Sequence, residues 1–475
     1  MNFILPRILI NLLEDKKHLH HMQQFHFIAI GGSAMHNLAI ALHKQGYIIS
    51  GSDDEIFNPS KSRLEKHHLL PSSFGWHPER ITKKLDGIVL GMHAKKDNPE
   101  LAKAHELNIP IYSYPEFLYN HAKNKTRIVI GGSHGKTSTT AMVLHVMQNL
   151  NIDTDYMVGA QLEGFDTMVR LTNKAKYMVL EGDEYLTSPI DLRPKFHLYK
   201  PHIAVITGIA WDHINVFPTF DFYVEQFRIF INKIEKNGSL FYCEEDEEVN
   251  RLVKKDYPHL GKKIGYSTPK FSIENGITAI HHNNKKYYLE IFGRHNLLNL
   301  QAARYICEEI GITTEDFYET IKSFKGASNR LEKIGDNGDI TVFKDFAHAP
   351  SKLKATTQAI KEQFHERRII AAMELHTYSS LSAEFLSQYS HSMDTPDYAF
   401  VYYNNHAIKL KRLANLSPEQ VKRAFLRDDL KVFTDSTKLV EAIKTKNRGK
   451  TVVLLMSSGN FGGIDLKTLA NELTE

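Results

Sequence analysis

The chain has little cysteine and no strong excess of either charge. It contains only two cysteines, Cys243 and Cys307, among 475 residues. Two thiols cannot build a disulfide framework or a cysteine-rich zinc site, so we expect both to be buried core residues in a reducing cytosol. Lysine and arginine number 59, against 55 aspartate and glutamate residues. This balance argues against a dedicated nucleic-acid-binding protein, which usually carries a basic stripe.

The N-terminal segment lacks an apolar run long enough to cross a membrane. The stretch "MNFILPRILINLLEDKKHLHHM" is interrupted by Pro6 and Arg7, and it lacks a small-residue cleavage site. A signal peptide or a membrane span is therefore not expected. The sequence predicts a cytoplasmic protein without membrane contact, in which residues 1–22 form an extension before the first strand.

The chain does contain a regular alternation of apolar strands and helical patterns, in three successive blocks. Such alternation predicts parallel sheets wrapped by helices, and so an α/β fold class. The polar segment "NHAKNKT" is expected to link the first two blocks, and "ITAIHHNNKKYYLEIFG" to form a β-hairpin in the second. The predicted domains span residues 23–120, 121–324 and 325–475.

A glycine-rich loop lies between a predicted strand and a predicted helix in "RIVIGGSHGKTSTTAMVL", residues 127–144. Backbone N–H groups converge at such a helix N-terminus, and the helix dipole favours a bound anion. Lys136 is expected to reach the β- and γ-phosphates of a nucleotide, and Thr137 to hold Mg²⁺. Ile130 replaces the first glycine of the strict P-loop pattern, so only the shorter G-x-x-G-K-[ST] form matches. A glycine turn without a ligand is the alternative.

Carboxylates follow the next predicted strand, which ends in Glu181, Asp183 and Glu184. A further strand is followed by Asp212 and His213. Because parallel strands end along one edge of a sheet, we expect these side chains near the glycine loop. A carboxylate at that edge is a suitable ligand for phosphate-bound Mg²⁺. His213 is equally consistent with a structural histidine.

Seven motifs follow one another in a fixed order along nearly the whole chain. They are "GGSHGKTSTT", "EGDE", "DHINVF", "FGRHNLLNLQAA", "FKGASNRLE", "KDFAHAP" and "MSSGNFGG". In this order they resemble the Mur ligases, the ATP-dependent amide-forming enzymes of peptidoglycan metabolism. The resemblance implies a Rossmann-like N-terminal domain for a UDP-linked sugar, a central P-loop-type ATPase domain and a Rossmann-like C-terminal domain. It also implies ATP and Mg²⁺ as cofactors, and we expect a monomer or dimer.

The resemblance implies roles for the charged residues of these motifs. Lys136, His213 and Arg330 are the expected catalytic residues, with Lys136 and Arg330 meeting the phosphates of ATP. Thr137, Glu181 and His213 are the expected metal ligands. A solvated surface charge is the alternative interpretation of Arg330.

The resemblance also implies which residues hold the nucleotide. Asn296 or Asn299 would lie near adenine with His295 beside them, and Asp345 and His348 would lie near the ribose. A helix cap is the alternative for Asn296. The expected nucleotide-binding residues are Gly132, Ser133, His134, Gly135, Lys136, Thr137, Ser138, Asn296, Asn299, Arg330, Asp345 and His348.

The N-terminal loop "AIGGSAMHNLA" has too few glycines to be a strong dinucleotide fingerprint, but by the resemblance it would meet a UDP diphosphate. Asp53 suits a hydroxyl contact on the uridine side. Asn98 is a candidate contact and also a plausible helix N-cap. The expected substrate-binding residues are Gly32, Ser33, Met35, Asp53, Asn98 and His376.

Several Mur ligases carry a carbamylated lysine after the DH motif, whereas "INVFPTFDFYVEQFRIFIN" contains no lysine. This implies the branch that uses UDP-N-acetylmuramate as carboxylate donor. Its acceptor is either L-alanine or the recovered tripeptide L-alanyl-γ-D-glutamyl-meso-diaminopimelate. The segments "GSDDEIFNPSKSRLEK" and "MSSGNFGGI" favour the tripeptide. The segment "ELHTYSSLSAEF" is similar in spacing to "PHRYTR" of the L-alanine enzymes, but Thr377 replaces an arginine.

The chemistry implied is transfer of the γ-phosphate of ATP to the sugar carboxylate, followed by attack of the acceptor amine on the acyl phosphate. The rivals are a folylpolyglutamate synthetase-like ligase, whose family lacks the first block, and a nucleotide-binding switch without catalysis. A dinucleotide oxidoreductase is disfavoured, because it leaves "GGSHGKTSTT" unexplained.

Overall fold

The computed structural model describes residues 22–162, 164–165, 167–211, 216–274, 276–327 and 330–475. The chain divides into two compact units. The first comprises the residues up to Asn120 with Val169–Thr172 and Thr187–Leu192, and the second comprises His121–Met168, Asn173–Leu186 and Arg193–Glu475. The extension predicted for residues 1–22 lies outside the described residues except for Met22. In the described part, no helix combines the length and the apolar character that a membrane crossing needs.

The N-terminal part contains a four-stranded parallel sheet in the order β2-β1-β3-β4. Its strands are β1 Gln24–Ile28, β2 Ile48–Ser52, β3 Gly87–Leu90 and β4 Ile111–Ser113. Its helices are α1 Ser33–Lys44, α2 Ser60–Lys66, α3 Pro99–Glu106 and α4 Tyr114–Ala122. This alternation confirms the predicted α/β arrangement. The β3 strand is buried along its whole length, as expected for a parallel strand covered on both faces.

The second unit contains a parallel sheet in the order β11-β10-β9-β5-β8-β6. The strands are β5 Thr126–Gly131, β6 Thr154–Met157, β8 Tyr177–Gly182, β9 Ile203–Ile206, β10 Ser239–Cys243 and β11 Lys262–Tyr266. The short β7, Val169–Arg170, is counted with the first unit. The helices are α5 Lys136–Asn149, α6 Phe220–Asn232, α7 Glu247–Val253, α8 Arg294–Glu309 and α9 Thr314–Ile321. Since β5, β8 and β9 are adjacent, the segments after their C-terminal ends lie side by side.

The predicted hairpin is confirmed and gains a third strand. The antiparallel sheet β12-β13-β14 consists of Phe271–Glu274, Ile277–His282 and Lys285–Leu289. Asn283 and Asn284 form the two-residue turn between β13 and β14, and their φ angles are 48° and 60°. Asparagine tolerates this left-handed conformation, which a twisted two-residue hairpin needs.

The C-terminal part contains a six-stranded sheet in the order β15-β16-β20-β17-β18-β19, in which only β15 is antiparallel. The strands are β15 Glu332–Asp336, β16 Ile340–Asp345, β17 Arg368–Leu375, β18 Tyr398–Tyr403, β19 Lys431–Phe433 and β20 Thr451–Met456. The helices are α10 Pro350–Gln363, α11 Asn405–Leu410, α12 Pro418–Phe425, α13 Ser436–Lys446 and α14 Leu466–Thr474. The strands predicted from the third block are thus confirmed.

The segment "NHAKNKT" was expected to link the first two blocks, and the division between the two compact units falls within it, after Asn120, although more than half of the segment is helix or strand. Its first three residues end α4, and its last residue begins β5. Lys125 and His121 both contact the buried carboxylate of Asp155, at 2.6 and 3.0 Å. A buried carboxylate needs such partners, so the polar residues of this segment anchor structure instead of being solvated.

The two cysteines are buried, as predicted, and neither forms a disulfide. Burial raises the pKa of the Cys243 thiol to about 11, so the thiol stays neutral at ordinary pH. Cys307, on α8, is fully buried among apolar side chains. Both residues therefore fill space in the core.

Candidate active site

The glycine loop joins the end of β5 to the start of α5, as predicted. Gly132 and Gly135 have φ angles of 134° and 74°. A Cβ atom on Gly132 would lie 2.2 Å from the Thr207 hydroxyl oxygen, and one on Gly135 would lie 2.1 Å from Oδ1 of Asn299. Side chains at these two positions are therefore excluded both by backbone conformation and by space. The loop is a cradle whose backbone N–H groups lie at the N-terminus of a 14-residue helix.

Lys136, the first residue of α5, is fixed by two hydrogen bonds. Its Nζ donates to the Gly132 carbonyl at 2.6 Å and to Oε2 of Glu184 at 2.7 Å. Burial lowers the pKa of Lys136, but the negative charges of Glu184, Asp183 and Glu181 outweigh this effect and raise the pKa above its usual value. Lys136 is therefore a permanently charged, pre-positioned cation.

Thr137 and Glu181 meet beside the loop. The Thr137 hydroxyl donates to Oε1 of Glu181 at 2.8 Å, and the Gly159 backbone N–H donates to Oε2 at 2.7 Å. Both side chains are buried. The pair thus presents a hydroxyl oxygen and carboxylate oxygens next to the glycine loop, and these are the hard oxygen donors that Mg²⁺ prefers.

The C-terminal part of the chain supplies Arg330 and the residues after β16. The Arg330 guanidinium lies over the Phe346 ring, 4.6 Å from its centroid. Burial lowers the pKa of Arg330, while the charges of Asp345 and Glu181 oppose this effect. Asp345 accepts the backbone N–H groups of Leu331 and Ala347, each at 2.7 Å. Asp345 therefore fixes the backbone that carries Arg330 and Phe346.

One cavity of about 470 Å³ brings most of these predicted residues together. The predicted residues that line it are Ser133, His134, Gly135, Lys136, Thr137, Ser138, Glu181, His295, Asn296, Asn299, Arg330, Asp345 and His348. Its walls come from the central part of the chain, up to Asn299, and from the C-terminal part, from Arg330 onwards. Across the cavity, Ser351 Oγ lies 3.1 Å from His134 Nε2. Burial lowers the pKa of His295, which favours the neutral imidazole at this wall.

Several predicted residues lie elsewhere. Gly132 packs behind the loop against Thr207 instead of lining the cavity. His376 follows β17 beside Glu374, with Nδ1 3.6 Å from Oε1, and only its neighbour Thr377 lines the cavity. His213 lies outside the described residues, as does Asp212.

In the first unit, Asp53 is tied to the glycines after β1. Its Oδ2 accepts the Gly31 backbone N–H at 2.7 Å, so the carboxylate joins the end of β2 to this loop. Gly32 is the N-cap of α1, Ser33 begins that helix, and the Met35 side chain is buried.

Asn98 is the N-cap of α3. Its side-chain oxygen accepts the backbone N–H groups of Glu100 and Leu101, at 2.9 and 3.2 Å. The capping interpretation of Asn98 is therefore confirmed. The substrate contacts predicted for Asn98 and for the residues of the first loop stay predictions.

The cavity also contains residues to which the sequence analysis assigned no binding or catalytic role. They are Thr207, Leu298, Phe346, Ala347, Ser351, Lys352, Ala355, Thr356, Thr377 and Ser458, together with Glu184. Four of them, Ser351, Lys352, Ala355 and Thr356, follow directly after "KDFAHAP", so extending that motif by two helical turns would have found these four. Ser458 lies within the motif "MSSGNFGG", and its buried hydroxyl has no hydrogen-bond partner among the described residues.

Three family models match the chain in succession. They are described as the Mur ligase family catalytic domain, over residues 24–126, the Mur ligase middle domain, over 130–307, and the Mur ligase glutamate ligase domain, over 329–459. A UDP-N-acetylmuramate–L-alanine ligase from Sulfurihydrogenibium sp. is 33% identical over 390 residues, 80% of this chain and 82% of the relative. A UDP-N-acetylmuramate–L-alanyl-γ-D-glutamyl-meso-2,6-diaminoheptandioate ligase from Haemophilus influenzae is 25% identical over 459 residues, 94% and 99% of the two chains.

Solved structures share the fold over nearly the full length. A murein peptide ligase from Psychrobacter arcticus superposes with a TM-score of 0.65 at 22% identity, covering 95% of this chain and 99% of the other. A UDP-N-acetylmuramate–alanine ligase from Thermotoga maritima gives a TM-score of 0.68 at 20% identity, covering 95% and 98%. The chain belongs to the Mur ligase family and is an ATP-dependent, amide-bond-forming ligase of peptidoglycan metabolism.

Proposed function

We propose that this ligase joins UDP-N-acetylmuramate to the tripeptide L-alanyl-γ-D-glutamyl-meso-diaminopimelate. The observation that carries the proposal is the absence of arginine after His376. Thr377 lines the nucleotide cavity, and the buried Ser380 donates from its hydroxyl to the Thr377 carbonyl at 3.1 Å. In the "PHRYTR" motif of the L-alanine enzymes, arginines occupy both positions.

The acceptor's own charge explains why this difference matters. Free L-alanine carries a carboxylate on the carbon next to the reacting amine, and an arginine fork binds such a group well. In a tripeptide that carboxyl group is already an amide, so an arginine there would lack its partner. Neutral Thr377 and Ser380 therefore fit a peptide better than a free amino acid.

Ligation of L-alanine is the second candidate. Relatives at 30–33% identity carry that activity in their names, whereas the tripeptide ligase relative is 25% identical. The two candidates share the donor, the nucleotide and the chemistry. They differ only in the acceptor.

The proposed reaction has two steps. A carboxylate oxygen of the muramate attacks the γ-phosphorus of ATP, and ADP leaves with the electrons of the broken P–O bond. The acceptor amine then attacks the acyl carbon, phosphate leaves, and the nitrogen loses a proton. Lys136 and Arg330 offset the negative charge of the transferring group, and exclusion of water from the site during the reaction limits hydrolysis of the acyl phosphate.

We propose Thr137 and Glu181 as holders of Mg²⁺, together with phosphate oxygens. Their adjacent oxygens fit this ion, and no group of three or more His, Cys, Asp or Glu side chains suited to a metal occurs among the described residues. One carboxylate plus phosphates is a common Mg²⁺ environment. When bound, the ion would neutralise charge on the phosphates. We retain the proposals for His213 as a further ligand and catalytic residue, and for Asn296, Asn299, Asp345 and His348 as nucleotide contacts.

In the first unit, we propose that Gly32, Ser33, Met35, Asp53 and Asn98 bind the UDP part of the donor, and that the domains divide near residues 120 and 324.

The test measures ATP-dependent phosphate release with UDP-N-acetylmuramate and each acceptor in turn. We expect kcat/KM for the tripeptide to exceed that for L-alanine by at least about 100-fold. This ratio corresponds to about 2.7 kcal/mol, which is about the energy that one hydrogen bond to a charged group supplies. A preference for L-alanine would refute the proposal. Thr377→Arg should raise the use of L-alanine, and His365→Arg, at an exposed position of the C-terminal part, is the control.

Lys136→Ala should reduce ATP-dependent ligation at least about 1,000-fold, because the cradle loses its fixed charge. Lys254→Ala removes an exposed lysine from the same unit and should leave the rate unchanged. Near-normal turnover of the Lys136 variant would remove this residue from the mechanism.

A further inference from the structure

Tyr223, on α6, lies beneath the phosphate cradle and has no accessible surface. Its hydroxyl oxygen lies 2.8 Å from Ser133 Oγ and 3.1 Å from Oε1 of Glu184. Ser133 belongs to the glycine loop, and Glu184 is the acid that holds Lys136. The tyrosine hydroxyl thus connects the loop to the partner of its lysine.

The direction of these hydrogen bonds follows from the donors available. An ionised carboxylate only accepts, so Tyr223 uses its single O–H to donate to Glu184. Ser133 must then donate its O–H to the tyrosine oxygen. The Ala210 backbone N–H in turn donates to Ser133 Oγ at 2.9 Å. One chain of hydrogen bonds therefore runs from the segment after β9, through Ser133 and Tyr223, to Glu184.

This chain leaves the other oxygen of Glu184 to Lys136. Nζ of Lys136 donates to that oxygen at 2.7 Å and to the Gly132 carbonyl at 2.6 Å. An ammonium group has three N–H donors. The third has no partner among the described residues, and Lys136 lines the cavity.

We propose that Tyr223 is a positioning residue of the phosphate site, which acts through Glu184 to aim the third N–H of Lys136 at bound ATP. The inference rests on the proposed nucleotide contact of Lys136. A lysine side chain has four rotatable bonds, and without a partner it would have to be ordered when ATP binds, at a cost in entropy. Tyr223 and Glu184 order it beforehand, so ATP can bind Lys136 without breaking the ion pair.

A purely structural role for Tyr223 is the competing explanation. Its ring packs against Phe217 and Phe227, with centroid distances of 5.2 and 5.3 Å. Tyr223→Phe keeps this ring and removes only the hydroxyl. Tyr257→Phe is the matched control, because Tyr257 is buried in the same unit and its hydroxyl donates to the Leu252 carbonyl at 3.3 Å. Neither Tyr257 nor Leu252 lines the cavity.

The experiment compares ATP binding by calorimetry with steady-state kinetics for the full chain and both variants. We expect Tyr223→Phe to weaken ATP binding and raise KM for ATP about tenfold, with KM for the sugar donor unchanged and kcat reduced less than threefold. Tyr257→Phe should leave every constant at the wild-type value. Equal KM values for ATP in the two variants would overturn the inference. A Tyr223→Phe variant whose ATP affinity and kcat fall only in proportion to a loss of folded protein would overturn it as well.

A double-mutant cycle with Glu184→Gln tests the route. If Tyr223 acts through Glu184, adding Tyr223→Phe to Glu184→Gln should change KM for ATP less than twofold. A full tenfold effect in that background would overturn the route. Absence of ATP binding by the wild-type chain would refute the proposed function as well, whereas normal wild-type binding with an unaffected Tyr223→Phe variant would refute this inference alone.

Discussion

At Gly135 the backbone takes a left-handed conformation, and the Asn299 side chain fills the space that a Cβ atom would need. Gly135→Ala should therefore distort the loop and raise KM for ATP at least about tenfold. The conformation alone costs roughly 1–2 kcal/mol, to which the clash adds. Gly311→Ala is the control, because Gly311 has φ 95° but nothing within 4 Å of a Cβ. Unchanged ATP kinetics in the Gly135 variant would contradict this account of the cradle.

Asp53 makes the stability of the first unit depend on pH. Burial raises the pKa of Asp53 to about 6, and Asp54 adds to this effect while the Gly31 N–H opposes it. The pKa in an unfolded chain is about 3.9, so the folded unit holds the proton more tightly. The stabilisation that Asp53 contributes is fully present below about pH 4 and is lost as the pH rises through about 6. This loss lowers the free energy of unfolding by up to about 3 kcal/mol.

Asp53→Asn should flatten that dependence between pH 4 and 7, as urea unfolding followed by a probe in the first unit would detect. Asp97→Asn, at an exposed aspartate of the same unit, should retain the wild-type slope. A stability that rises with pH across this range in the wild-type chain would be the opposite of what we expect.

At the scale of elements, the Gln363 side chain links the three-stranded sheet to α10. Gln363 accepts the Thr278 hydroxyl at 3.0 Å and donates to the Gly276 carbonyl at 2.5 Å. Thr278 is buried, and Gln363 is 6% exposed. Removing the amide leaves the buried Thr278 hydroxyl without this partner at a cost of about 1–3 kcal/mol, whereas the carbonyl of the exposed Gly276 can be hydrated.

Gln363→Ala should therefore lower the free energy of unfolding of the second unit by about 1–3 kcal/mol. Gln358→Ala, on the exposed side of the same helix, loses only a contact with Glu362 at 3.1 Å and should change stability by less than about 0.5 kcal/mol. Chemical denaturation of the two variants would measure the difference. Equal stabilities would exclude Gln363 as the attachment point.

The sequence alone predicted the strands whose own residues are arranged in an apolar pattern, including β5, β8, β16 and β20. It did not predict β15, Glu332–Asp336, which is polar and partly exposed and is a strand because it pairs with β16. The same distinction holds in the site. The motifs predicted a phosphate-binding role for Lys136 because its chemistry is local. In the sequence, Tyr223 is an ordinary aromatic residue of an amphipathic helix, and only the tertiary structure brings it to Glu184.

At the scale of the whole molecule, the cavity that we propose binds ATP is lined entirely by residues of the second unit. Two compact units predict two transitions in calorimetry, because multidomain chains rarely unfold in one step. ATP at 100 times its Kd should stabilise only the second unit, by about 2.7 kcal/mol. The Lys136→Ala variant should lose this shift. A single transition that moves as a whole with ATP would contradict the prediction.

The residues that line the cavity are far apart in the sequence, and this separation has a consequence for biosynthesis. Lys136 leaves the ribosome more than 300 residues before Ser458, although both line the same space. At 5–20 residues per second, this interval is about 16–64 s. During that time a nascent chain has the phosphate loop but not the complete nucleotide site. Cellular ATP therefore cannot act through the finished site as a folding aid for the growing chain, and the central strands must fold on their own packing.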